Sequence, residues 1–552
     1  MTQHPWKNIF YYVGLILFLL YVDPSTSILS KELRSIIPEQ TSFFYTRPVI
    51  VVICWIFCVW GLGLLLNARS PSVRRICWAL FILTTLANGI SMDLTESPFN
   101  VQQYDLILGE ISHAPSYIST YFTYLLWAFF KYSGLLLLFF LYIALVRPPR
   151  YHRYKIIVLL AIVAAVVNLV RYKAVNNGTP SFYAIPGSMI YKHASRTYFG
   201  PRNPVPVSPV LAPFIDNIII IIDETVRDDF ITLNNKDLPT TPYLATQDLV
   251  NYGTAMALAN SSRHSNAAIR AGLTQEEMPD KTFQILKKPN LFQYAKTAGF
   301  TTHYANGQKK AASTVVDNLM NKFDLPHIDH FENVGEGSGQ DICGDQPVAD
   351  FIVRQVQSGG KNLIYVNKMG NHFPYANRYP KKEEIFTPAH LPGETQDNYE
   401  KTINAYKNAM RWSVDKFFAY LLPKLEGKNY LIIYASDHGE AISESGRTSG
   451  HCSLLTASPE EVRIAFFLKS DHKTLQNQFQ ALLPHKINKV SQYQIFPTTL
   501  RLLGYDPNWL KKEYGPSLLD PENQPLRFFI GSIQHSGHWG EFKLDSSHGE
   551  TS

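Results

Sequence analysis

Five consecutive isoleucines, Ile218-Ile219-Ile220-Ile221-Ile222, constrain this chain more than any other feature. An unbroken β-branched run has no polar face, so a strand made of it is buried on both sides. The run ends in Asp223-Glu224-Thr225. Two further apolar runs end alike. Leu363-Ile364-Tyr365-Val366 leads to Gly370-Asn371-His372, and Tyr430-Leu431-Ile432-Ile433-Tyr434 leads to Ser436-Asp437-His438-Gly439-Glu440. His451 follows the Asp-His pair by a short loop. Buried strands that deliver carboxylates and imidazoles at their C-terminal ends point to one zinc-dependent site in an α/β protein.

The wider pattern agrees. Strands are expected at 217–222, 300–304, 361–367, 429–435 and 462–468. Helices are expected at about 290–298, 346–357, 396–421 and 491–503. Alternation of this kind predicts a mostly parallel sheet covered by helices on both faces, within a domain spanning 217–552. Residues 171–216 are rich in Pro, Gly, Tyr and Asn, and read as an extended linker.

The first 170 residues are different. Apolar blocks at 8–23, 48–66, 76–92, 121–146 and 156–170 predict a transmembrane domain of five helices. Lys131 interrupts the fourth block. The loops 67–75 and 147–155 are basic, whereas 93–116 carries four acids and no Lys or Arg. Basic loops stay in the cytoplasm, so everything after the fifth span is expected outside. Arg171 and Lys173 run against that rule. The segments 25–47 and 93–120 also fall outside, where their aromatic and polar residues suit the membrane interface. The net charge of +6 is mild for 552 residues, and no basic run is dense enough for nucleic acid. Cys54, Cys58 and Cys77 lie in the apolar blocks. Cys343 and Cys452 lie outside them, paired with each other or free.

Glu224, Asp437 and His438 suit zinc, and a protein hydroxyl as fourth ligand would be activated for attack. The stretch Asn260-Ser261-Ser262-Arg263-His264-Ser265 is dense in hydroxyls. It precedes a helix whose N-terminal amides favour a phosphate. Taken singly, these serines read as helix N-caps and His372 as a turn residue. The combination carries the chemistry.

That combination resembles a family. Glu224, a hydroxyl at 262, Met369-Gly370-Asn371-His372, Asn404-Ala405-Tyr406-Lys407-Asn408-Ala409, Ser436-Asp437-His438-Gly439-Glu440, Gly450-His451 and Gln494-Ile495-Phe496-Pro497-Thr498 occur in the order seen in lipid A phosphoethanolamine transferases. These are membrane-anchored members of the alkaline phosphatase and sulfatase superfamily. The resemblance implies zinc on Glu224, Asp437, His438 and Ser262, with Ser262 as nucleophile and Ser261 as its competitor. His372 and His451 become phosphate-side histidines that orient substrate, bind a second zinc or protonate the leaving diacylglycerol oxygen, and Lys309 or Lys310 a basic residue of the site. It implies phosphoethanolamine transfer from phosphatidylethanolamine to a lipopolysaccharide acceptor through a covalent serine intermediate. The expected protein is a monomer in a Gram-negative inner membrane, its catalytic domain in the periplasm among membrane lipids.

Three departures stand out: Asp223 where the family has Gly, Ser in place of Thr, and no counterpart of the family's paired cysteines. No cysteine begins the Cys-x-Pro-x-Arg pattern of formylglycine sulfatases. A glycerophosphate or periplasmic-glucan transferase is the alternative within the superfamily. A catalytically inactive membrane scaffold is the alternative outside it.

Overall fold

The structure is a computed structural model. It describes residues 5–23, 46–95, 99, 118, 122–148, 155–171, 179–194, 200–310, 320, 323–335, 345–392, 394, 398–442, 450, 457–531, 533 and 537–540. His451, Cys343, Cys452 and most of the expected interfacial segments 25–47 and 93–120 lie outside the described residues. The chain forms two compact units, one of Met1–Ile111 and Tyr121–Thr197, the other of Ser112–Thr120 and Tyr198–Ser552.

The first unit is helical: α1 (Pro5–Val22), α2 (Thr46–Leu66), α3 (Pro71–Thr95), α4 (Phe122–Val146), α5 (Lys155–Arg171) and α6 (Ser181–Ala194). Two stretches, Pro71–Asp93 and Phe122–Val146, are long and apolar enough to cross a membrane. Trp6–Val22, Val52–Leu66 and Ile156–Val167 are shorter apolar helices. Lys131 of α4 is tolerated because its Nζ donates to both Asp93 carboxylate oxygens at 2.9 Å. Helix α6 corrects the reading of 171–216 as an extended linker. Its first amide, Ser181 N–H, donates to Asp23 Oδ2 at 2.7 Å. That long-range cap has no local sequence signal.

The second unit carries an eight-stranded sheet in the order β4-β3-β5-β1-β6-β7-β2-β8. The strands are β1 (Asn217–Asp223), β2 (Val250–Met256), β3 (Thr301–Lys310), β4 (His330–Gly335), β5 (Asn362–Asn367), β6 (Tyr430–Ser436), β7 (Arg463–Ser470) and β8 (Val490–Ser491). Its helices include α7 (Ser262–Ala271), α8 (Leu291–Thr297), α9 (Gln346–Gln357), α10 (Tyr399–Met410), α11 (Phe417–Leu425), α12 (Lys473–Lys486) and α13 (Ile495–Leu502). Strand β7 runs antiparallel to β6 and β2, and the other pairings are parallel.

The isoleucine run is the central strand, and both its faces are covered. Ile218, Ile220 and Ile222 share a core with Leu291, Phe292, Ile495 and Phe496. On the opposite face, Tyr434 sits in register with Ile221 and stacks on Phe467, both against Phe418 of α11. Full burial of each such side chain stabilises the fold by about 1.5–3 kcal/mol.

Candidate active site

Strands β5, β1 and β6 are adjacent and parallel, so their C-terminal ends open on one edge of the sheet. The three apolar runs that lead to candidate site residues are thereby side by side. Asp223 is in register with Ser436, and Ile222 with Asn367.

Just beyond these ends, Glu224, Asp437 and His438 converge, all buried, each offering one ligand atom within 4.8 Å of the others. His438 Nδ1 lies 2.6 Å from the Gly439 carbonyl and donates to it. Its Nε2 therefore presents to Glu224 Oε1 at 3.3 Å and Asp437 Oδ2 at 3.8 Å. Asp437 Oδ2 makes no hydrogen bond among the described residues. Lone pairs aimed at one point in a buried site are compatible only with protons or a cation between them. Burial and the Glu224 charge push the Asp437 carboxyl up to about 8. Burial acts to raise Glu224 too, but the His438 hydrogen bond and charge outweigh it and hold Glu224 well below the usual carboxylate range. Two carboxylates and an imidazole are a donor set that fits zinc.

Ser262 is the first residue of α7, where its Oγ lies 3.0 Å from His438 Nε2 and 3.1 Å from Glu224 Oε2. Ser261 occupies the N-cap position, and its Oγ meets His264 Nδ1 at 2.8 Å instead. Of the two competing serines, Ser262 is the one that meets the triad.

His372 hydrogen-bonds through Nδ1 to the Phe373 carbonyl at 2.7 Å, and its charge contributes to lowering Glu224. Its turn is held by three devices. Asn371 N–H donates to Glu224 O at 3.0 Å. Asp345 accepts the amides of Met369 and Gly370 at 2.7 and 3.0 Å. Ser413, in a π-helical turn at Arg411–Lys416, donates through Oγ to Asn371 Oδ1 at 2.5 Å. Asp223 Oδ1 accepts the Glu224 N–H at 3.0 Å. Its Oδ2 accepts from Lys368 Nζ at 2.5 Å and Tyr434 OH at 2.7 Å, deep in the sheet. The extra carboxylate is thus neutralised by a buried lysine, and takes no place among the three convergent ligand groups.

Several residues at the site carry no readable local signal. Gln308 Nε2 donates to Glu224 Oε2 at 2.7 Å, next to Lys309 and Lys310, whose backbone continues β3 and whose side chains are outside the described set. Thr225 has φ 62°, a left-handed conformation uncommon for a β-branched residue. There its Oγ1 donates to Glu224 Oε1 at 2.7 Å and its amide to Asp437 Oδ1 at 3.1 Å. Tyr406 of α10 secures this loop, donating to Thr225 O at 2.6 Å and accepting from Arg227 N–H at 3.1 Å.

A strand-edge site of this construction on a mostly parallel sheet defines a class, and residues 216–505 match the sulfatase family. The chain belongs to the sulfatase family. It is 25% identical over 307 residues to the Kdo(2)-lipid A phosphoethanolamine 7''-transferase of Escherichia coli (strain K12), covering 52% of this chain and 51% of that protein. It is 24% identical over 305 residues to the phosphatidylethanolamine transferase Mcr-1 of Escherichia coli, covering 52% and 53%. The chain thus spans about half the length of the curated relatives it matches. Among solved structures, the integral membrane lipooligosaccharide phosphoethanolamine transferase A of Neisseria meningitidis shares the fold. The TM-score is 0.59 at 18% identity, over 90% of this chain and 97% of that one.

Proposed function

We propose that this chain is a zinc-dependent enzyme that transfers phosphoethanolamine from phosphatidylethanolamine to a lipopolysaccharide acceptor, a lipid A phosphate or a core sugar. The observation that carries this reading is the Ser262 hydroxyl at 3.0 Å from His438 and 3.1 Å from Glu224, at a helix N-terminus. The names borne by its relatives support the transferred group and the acceptor.

Glu224, Asp437, His438 and Ser262 would hold the zinc. Bound there, it supplies positive charge that favours the ionised serine and the crowded phosphoryl oxygens. Ser262 Oγ attacks the phosphodiester phosphorus. A P–O bond to serine forms, the P–O bond to diacylglycerol breaks, and the leaving oxygen takes a proton. The amides that open α7 face the transferred group. In the second step an acceptor oxygen attacks the same phosphorus and Ser262 leaves. His372 and His451 serve as the histidines that orient the phosphoryl group and move its protons.

Localisation follows as part of the same proposal: five membrane spans in a Gram-negative inner membrane, a periplasmic catalytic unit, and a monomer. The pairing of Asp223 with Lys368 weakens the inactive-scaffold reading, because that carboxylate is held by a buried lysine and is not one of the three convergent ligand groups. The test is incubation of the full chain with phosphatidylethanolamine and Kdo2-lipid A. The expected product is lipid A heavier by one phosphoethanolamine, with release of diacylglycerol. Diacylglycerol release without modified lipid A would move the acceptor elsewhere, and neither product would reject the reaction.

A further inference from the structure

Immediately after His372 the chain builds a cavity of about 320 Å³ that the mechanism leaves unused. This lies at the lower end of the ~300–1,000 Å³ typical of small-molecule sites. Its polar lining is Asn377, Tyr379, Lys381, Glu384 and His390. Asn377, Tyr379 and His390 are buried, whereas Lys381 stands at the mouth, its side chain 64% exposed. Lys381 Nζ donates to Glu384 Oε1 at 2.6 Å, and Tyr379 OH to Glu384 Oε2 at 3.3 Å.

The cavity is rigidly tied to the reactive centre. Arg378, between two lining residues, donates through Nε to the His372 carbonyl at 2.6 Å. Helix α10 holds the segment that runs from Glu384 to His390. Asn408 accepts the amides of Ile385 and Phe386 at 3.0 and 2.9 Å, Asn404 donates to Pro388 O at 2.9 Å, and Thr402 meets His390 Nε2 at 3.1 Å. The same helix holds Thr225, beside Glu224, through Tyr406. The Asn-Ala-Tyr-Lys-Asn element thus clamps a catalytic loop and a binding wall together.

We propose that this cavity is the acceptor subsite, and that it takes a sugar ring of the lipopolysaccharide bearing a phosphate or carboxylate. The inference rests on the transfer reaction proposed above. Amide, phenol and carboxylate groups at fixed positions match the alternating donors and acceptors of sugar hydroxyls. The Lys381 ammonium stands at the mouth paired with Glu384, and an anionic substituent would compete with that carboxylate for it. The donor phospholipid has no free hydroxyl to satisfy these groups, and its reacting phosphorus belongs at Ser262.

The test is equilibrium binding of Kdo2-lipid A, in detergent, to the full chain carrying Ser262→Ala, with and without Tyr379→Phe plus Lys381→Ala. Together the two changes remove both partners of Glu384, so each is also made singly and thermal unfolding is measured for every variant; Tyr379→Phe alone removes one oxygen and leaves the Lys381 pair in place. The dissociation constant is expected to rise by about tenfold with the added pair. Lys511→Ala, which breaks an exposed ion pair elsewhere, should leave it within about twofold. A change of less than about twofold for the cavity pair, or no binding to the parent, overturns the proposal. The reaction itself is read separately, as a phosphoethanolamine adduct on wild-type Ser262. An adduct with cavity-independent binding would keep the reaction and remove the cavity from it.

Discussion

Thr225 and Lys368 are where single side chains set the site. Thr225 holds a left-handed backbone that places its hydroxyl on Glu224 and its amide on Asp437. Such strain amounts to about 1–3 kcal/mol and persists where surrounding contacts over-determine it. Thr225→Gly relieves the backbone and loses the hydroxyl. The unfolding midpoint should hold or rise while zinc affinity falls by about 10–100-fold, as for other groups that orient a metal ligand. A lower midpoint with unchanged affinity would refute this division of roles. Lys368 is fully buried between Asp223 and Asp345. Lys368→Met strands those carboxylates and should lower stability by about 3–5 kcal/mol. Adding Asp223→Asn should recover part of that loss. Denaturant titration of both variants in detergent measures it, and equal stability of Lys368→Met and wild type would show that the pair carries no structural role.

The turn after β5 and the π-turn after α10 act as elements rather than as residues. Gly370 has φ 49°, and a Cβ there would lie 2.3 Å from Asp223 Oδ1 and 2.7 Å from the Glu224 carbonyl. Gly370→Ala should therefore displace Glu224 and abolish zinc retention, read by metal analysis after desalting. Retained zinc would mean that the turn adapts. At this scale the sequence was an uneven guide. The strands β1, β5 and β6 were legible because burial on both faces leaves unbroken apolar runs. Their polar C-terminal residues marked the site for the same reason. Strand β2 was not, since Asn251 and Gly253 break its pattern and its register shifts between Asn251 and Thr254. Strand β4, His-Phe-Glu-Asn-Val-Gly, is a half-polar edge strand and escaped too. The helix expected at 396–421 is divided by the π-turn at Arg411–Lys416, which directs Ser413 toward Asn371 and Lys368. That insertion has no composition signature. The Asp345 contacts join residues 24 and 25 positions apart, which local pattern cannot report.

The whole molecule pairs a helical unit carrying two clear membrane-length apolar stretches with a sulfatase-family unit whose site opens at the ends of three adjacent strands. Because zinc would bind the folded site and not the unfolded chain, its removal should lower the unfolding midpoint. A midpoint unaffected by a chelator, in a chain shown to lose zinc, would argue that protons rather than a cation balance the triad. The central claim is that Ser262 carries phosphoethanolamine during turnover. The most direct measurement is the intact mass of the full chain after incubation with phosphatidylethanolamine, for wild type and Ser262→Ala, with and without a chelator. The account predicts a gain of one phosphoethanolamine on wild type alone, lost with the chelator. A zinc-loaded wild type that gains no mass and releases no diacylglycerol would contradict it, as would an adduct that survives in Ser262→Ala.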